Sequence, residues 1–157
     1  RYELSFNAKR EVTKMMFACV RPAEMQLIVA ESRYHMENEP GALSALNEFR
    51  RKRIADVVDY TNETLPTVNP DEFIKVDVYG EPLTPLLNAI LNERRKELFM
   101  EGDRWFELKR NGRPEMWVAK QGRKYTTLPY MYTFPLPIQD MELVDGLIQN
   151  PGYDKTR

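Results

Sequence analysis

Histidine occurs once in this 157-residue chain, as His35, and cysteine once, as Cys19. A lone cysteine excludes an internal disulfide framework, and two such residues are too few for a Cys/His metal site. Nucleophilic catalysis lacks its parts by the same count, since His35 falls on a helical stretch far from Cys19 in sequence, with Ser32 on a different face. Glycine is scarce, seven against eleven prolines. Gly-rich phosphate loops are therefore absent, and the excess of proline points to much ordered loop instead of a plain bundle. No apolar run approaches the length that spans a bilayer. Charge of one sign is missing too: 23 basic and 24 acidic side chains leave a net −1, so no broad field recruits nucleic acid or anionic lipid. The run Arg50-Arg51-Lys52-Arg53 is the exception, but on a helix its members point different ways and read as a solvated face.

What is present is enough for one globular core, with 42% hydrophobic and 30% charged residues, and a single domain is expected. The densest pattern covers residues 84–112. Thr84 can cap a helix and Pro85 suits its first position. Leu87, Ile90, Leu91 and Leu98 recur at helical spacing along one face, with Arg94 inside that stripe. Gly102 offers a left-handed exit, and Asp103 can cap a second, shorter helix ending at Asn111-Gly112. Glu93, Glu97 and Glu101 form a row beside the apolar face, and Arg104 follows. Carboxylates so placed need cations, and the planar guanidinium is the better partner. Glu93, Arg94, Glu97, Glu101 and Arg104 are thus expected to form a half-buried network fixing the angle between the two helices, in preference to an acid/base or metal site.

Upstream, residues 1–20 carry no sustained period, though residues 15–20 suit a short buried extended segment. Cys19 follows an apolar run too short for a signal core and reads as a buried small residue. Pro22 opens a helix to about Glu37 with Ala23, Leu27, Ala30 and Tyr34 on one face. After the break at residues 38–41, a second amphipathic helix is predicted to about Asp59, with Ile54 and Val57 among its apolar positions, giving an antiparallel hairpin. Glu24 and Glu31 share a face of the first helix, but seven residues span roughly 10 Å along the axis, more than glycosidase geometry asks. Residues 61–82 form a long connection with one short strand at Ile74, Val76 and Val78. Tyr130, Tyr132 and Phe134 alternate as a strand end, and Leu143, Leu147 and Ile148 are the only later apolar anchors.

Three separated stretches resemble the SusD/RagB family of cell-surface glycan-binding lipoproteins. Residues 92–110 (NERRKELFMEGDRWFELKR) match its E-R-R-x-E-L-x-x-E-G-x-R-x-x-D-L-x-R signature, with Glu107 where the family usually has Asp. Residues 21–31 and 45–50 look like its last tetratricopeptide-type helix pair. The segments 134–138 and 149–153 are similar to its F-P-I-P and Q-N-P-G-Y endings. The resemblance implies a mainly α fold: a tetratricopeptide-like helix hairpin plus a long helix pair, wrapped by long loops with minor β structure. It implies that residues 1–157 form a single SusD-like C-terminal domain, a portion of a longer chain. Such a repeat pair has lost its stacked neighbours, which would leave an apolar flank exposed.

Function follows from the same resemblance. It implies non-catalytic binding of extracellular glycan or oligosaccharide at the outer-membrane cell surface, and delivery to a SusC-like TonB-dependent transporter. No cofactor or metal, no nucleic acid, and membrane contact only through a lipid anchor outside this stretch are expected. A helical scaffold or a SusD-like lid for peptide or protein ligands is the alternative. Sugar recognition needs flat aromatic faces with polar neighbours. Trp105 sits among signature residues and reads as core, whereas Tyr79, Trp117 and Tyr125 fall in predicted loops and are the candidate ligand-binding residues.

Overall fold

Each of the three longest helices carries proline in its first turn, where a missing N–H has no intrahelical partner to lose. The computed structural model describes residues 2–5, 12–15 and 21–153. It gathers into two compact units, Arg1–Thr64 and Leu65–Arg157, and its described residues are mainly helical with minor β structure.

In the first unit, β1 (Tyr2–Ser5) pairs antiparallel with β2 (Val12–Met15), Tyr2 opposite Met15 and Ser5 opposite Val12. The extended segment expected over residues 15–20 overlaps β2 only at Met15; the remainder, Cys19 included, lies outside the described residues. The helix hairpin follows as α1 (Pro22–His35) and α2 (Glu39–Arg53). Asn38 turns the corner, its side chain accepting the Gly41 N–H at 3.0 Å, and Arg33 Nη1 donates to the Gly41 carbonyl at 3.1 Å. Ala23, Leu27 and Ala30 face inward from α1, and Ala42, Ala45, Leu46 and Phe49 from α2. Alanines keep the two backbones close, and each fully buried Leu or Phe contributes about 1.5–3 kcal/mol. Met25, Ile28 and Val29 remain exposed along α1.

The predicted second helix runs too far. It stops at Arg53, Ile54 is extended and exposed, and Asp56 adopts φ 53°. The cause is a set of side-chain bonds that hold the chain outside the helix. Asn47 donates to the Tyr60 carbonyl and accepts the Tyr60 N–H, both at 2.8 Å. Arg50 Nη1 donates to the Val58 carbonyl at 3.0 Å, with its guanidinium 3.5 Å above the Tyr60 ring.

In the second unit, α3 (Pro85–Glu97) starts as expected, Thr84 Oγ1 accepting the Leu87 N–H at 3.3 Å. Leu86, Leu87, Ala89, Ile90 and Leu91 supply its buried face. α3 ends before Gly102: the chain turns over residues 98–102, with Met100 at φ 65° and Gly102 at φ 85°, and α4 is Asp103–Arg110. Asp103 is therefore the first residue of α4 and not its cap. The predicted strand at Ile74–Val78 reduces to one bridge, Val76 with Pro82, because Asp77 Oδ1 takes the N–H groups of Tyr79 and Glu81 at 2.8 and 2.9 Å and bends the chain. The alternation at Tyr130–Phe134 is not a strand either. Pro129 opens a 3-10 turn to Tyr132, which buries Tyr132 and leaves Phe134 outside. Beyond it α5 (Ile138–Leu143) leaves Leu143 and Ile148 exposed and Leu147 marginally so, so these are not anchors. Gln149 instead ties down the ending, accepting the Leu136 N–H at 2.7 Å and donating to its carbonyl at 3.0 Å.

Candidate functional site

At the α3–α4 corner, cations and carboxylates meet, with Asp103 and Glu107 joining residues of the row read in the sequence. Arg94 spans nine residues to Asp103 with both arms of its fork, Nη2–Oδ1 at 2.6 Å and Nε–Oδ2 at 2.9 Å. Glu93 accepts from Lys96 at 3.0 Å, and Arg104 from the same corner donates to Glu107 Oε2 at 2.6 Å. Glu97 is half-buried and Glu101 exposed. Sequence reasoning assigned Asp103 to capping and Glu107 to a family variation; the apolar surroundings of positions 94 and 107 were the available signal for both pairings.

Glu107 is buried, and burial pushes its carboxyl above the ordinary range, against the pull of Arg104. Beside it, Trp105 is half-buried and stacks on Tyr132 (centroids 4.6 Å apart, 27° between planes) and on Phe134 (6.1 Å, 15°). The Tyr132 hydroxyl donates to the Pro114 carbonyl at 2.8 Å, and burial raises its pKa. The ion pairs and stacked rings give this corner the work of rigidity.

Trp117 and Tyr125 do not lie in loops. They belong to a hairpin of β3 (Met116–Lys120) and β4 (Arg123–Thr127) joined by Gln121-Gly122. Both turn residues have positive φ, 51° and 73°, the two-residue geometry that matches strand twist. The Gln121-Gly122 pair between two runs containing Trp117, Val118, Tyr125, Thr126 and Thr127, residues that favour strands, was the signal for it. Register places Trp117 opposite Thr126 and Val118 opposite Tyr125, so alternation puts the two aromatic rings on opposite faces. Trp117 is 56% and Tyr125 49% exposed. Lys124 Nζ stands 5.4 Å from the Trp117 ring centroid. Tyr79, 74% exposed, projects from the separate Asp77 turn.

Two open clefts lie elsewhere in this unit. One of about 740 Å³ is lined by Leu98, Phe99, Met100 and Arg104 among others. The second, of about 460 Å³, is lined by Asp71, Glu72, Phe73, Lys75, Asn111 and Glu115 with their neighbours. Neither takes in Tyr79, Trp117 or Tyr125. Among the described residues no group of three or more His, Cys, Asp or Glu could hold a metal ion, and no helix is long and apolar enough to cross a membrane. What the exposed hairpin offers is an indole with a hydroxyl opposite it and an ammonium over its ring, chemistry for binding a polyhydroxylated ring.

A sequence profile described as the SusD family matches residues 6–153. No curated protein and no solved structure matches the chain.

Proposed function

Because the chain belongs to the SusD family, we propose that it captures an extracellular glycan or oligosaccharide without altering it chemically and delivers it to a SusC-like TonB-dependent transporter. The family supports a general role in glycan binding for nutrient uptake. In this reading residues 1–157 act as one functional domain at the cell surface, attached to the outer membrane through a lipid anchor. Glu93, Arg94, Glu97, Glu101 and Arg104 serve as scaffold, and ligand contact falls to the exposed aromatics.

The observation that carries the reading is the exposed indole of Trp117, held on a tight hairpin with Thr126 opposite it and the Lys124 ammonium over its ring, 5.4 Å from the centroid. A pyranose presents a C–H face to such a ring while its hydroxyls bond to neighbouring polar groups. Tyr125 offers a second face on the other side of the hairpin, and Tyr79 a third from its own turn. Calorimetric titration against parallel panels of oligosaccharides and peptides tests this. A sugar should bind, and Trp117→Ala should weaken it roughly 10- to 30-fold, the scale of losing an aromatic anchor. A response to peptides alone would replace sugar by peptide as the cargo.

A further inference from the structure

The β3–β4 hairpin has more than aromatic surface. Alternation places Trp117, Ala119, Lys124 and Thr126 on one face. Ala119 sits directly opposite Lys124 and takes little room, so the Lys124 side chain leans over the indole, its ammonium 5.4 Å from the ring centroid, and a sugar reaching that ring also reaches the ammonium. At the turn, Lys120 is paired across the strands with Arg123. Like charges directly opposite one another destabilise a hairpin. Lys120, Arg123 and Lys124 are all exposed, and among the described residues none of the three makes an ion pair. The chain as a whole is at net −1, so this cationic tip is local. An anion placed there would relieve the repulsion and meet several unused donors.

Resting on the glycan reading above, we propose that this hairpin selects acidic sugars, stacking a pyranose on Trp117 and pairing its carboxylate or sulfate group with Lys124. Lys120 and Arg123 point to the opposite face of the hairpin and add to the attraction of an anion only through their charge at the turn. The 460 Å³ cleft is no rival for such a ligand, since Asp71, Glu72 and Glu115 outnumber Lys75 among its charged lining residues. A neutral sugar would use only the indole and Thr126, and would leave the ammonium without a new partner.

Titration calorimetry of the chain at low and moderate salt tests the selection. The probes are tetragalacturonate, its fully methyl-esterified counterpart, a chondroitin sulfate tetrasaccharide, maltotetraose and a single-stranded oligonucleotide of equal charge. At least one acidic tetrasaccharide should bind about tenfold more tightly than the neutral probes, as a charge-assisted contact would give, and salt should erode that margin. Which acidic probe binds distinguishes carboxylate from sulfate. Lys124→Gln should remove the preference, bringing acidic and neutral tetrasaccharides to equal affinity, and Lys120→Gln with Arg123→Gln should reduce the salt dependence. Equal binding of acidic and neutral sugars, or an unaltered preference in Lys124→Gln, would overturn the selection while leaving sugar capture standing. Equal affinity for the oligonucleotide would reduce the tip to a general polyanion surface and also overturn it. No response to any sugar would remove both readings together.

Discussion

Glu107 shows how much one methylene and one missing partner can matter. The residue is 1% exposed, Oε2 accepts from Arg104, and Oε1 has no hydrogen-bond partner among the described residues. Burial raises the carboxyl above its ordinary value of 4.5, Arg104 lowers it, and Asp103 adds a smaller upward push. A folded-state pKa above the unfolded one means the native state keeps a proton that the unfolded chain has already released. Stability is therefore fully present below about 4.5 and declines as pH rises from there through the raised value, levelling off above it. Glu107→Gln has no proton to lose there, so its stability relative to the parent chain should climb over the same interval. Urea denaturation of both proteins at successive pH values checks this, and a constant difference across the interval would refute it. The presence of a glutamate was plain in the sequence. Its burial was not, because the 3.6-residue period assigns a face but does not say how deep that face lies.

The starts of α1 and α3 were readable, whereas α2 begins at Glu39, inside the stretch read as a break. Thr84 acts through a local hydrogen bond and Pro85 and Pro22 through a fixed φ, which local sequence encodes. The turn after α3 is spanned by Arg94 reaching Asp103 nine residues away, and the exit of α2 by Asn47 holding Tyr60, thirteen away. Such contacts exist only after the chain has folded back. The strand misread at Tyr130–Phe134 has the same origin: alternating aromatics suit a strand, but Pro129 and the stacking of Tyr132 on Trp105 favour a 3-10 turn. The hairpin carrying Trp117 and Tyr125 was encoded locally, by Gln121-Gly122 between two five-residue runs, but that its aromatic rings face opposite ways follows only from the register. The Arg94–Asp103 pair joins two elements and is mostly buried, so Asp103→Ala, which leaves the guanidinium charge without its bidentate acceptor, should cost about 3 kcal/mol. Arg94→Lys should also destabilise, because an ammonium cannot reproduce the fork. Denaturant midpoints measure both, and a loss no larger than that of an exposed pair would show that the corner is held by apolar packing alone.

On the scale of the whole molecule, the apolar surface is unevenly spent. Phe99 and Met100 lie in the turn between α3 and α4, 74% and 83% exposed, and both line the 740 Å³ cleft. Soluble monomers seldom leave large contiguous apolar patches in water, and such a surface seeks cover from another molecule. Their side chains contribute little to the fold, since most of their area is never removed from water. Met100 also holds φ 65°, a conformation that asparagine tolerates better than an unbranched apolar side chain. Replacing Phe99→Ser together with Met100→Asn should therefore alter unfolding free energy by no more than about 0.5 kcal/mol, as for other exposed substitutions, while reducing self-association of the chain at high concentration. Sedimentation velocity across a concentration series reads the second effect and urea denaturation the first. If the double variant associates as strongly as the parent, attraction between copies comes from other apolar surface, such as Met25, Ile28 and Val29 on α1. If it unfolds, the turn residues are bound into the core more firmly than their exposure indicates.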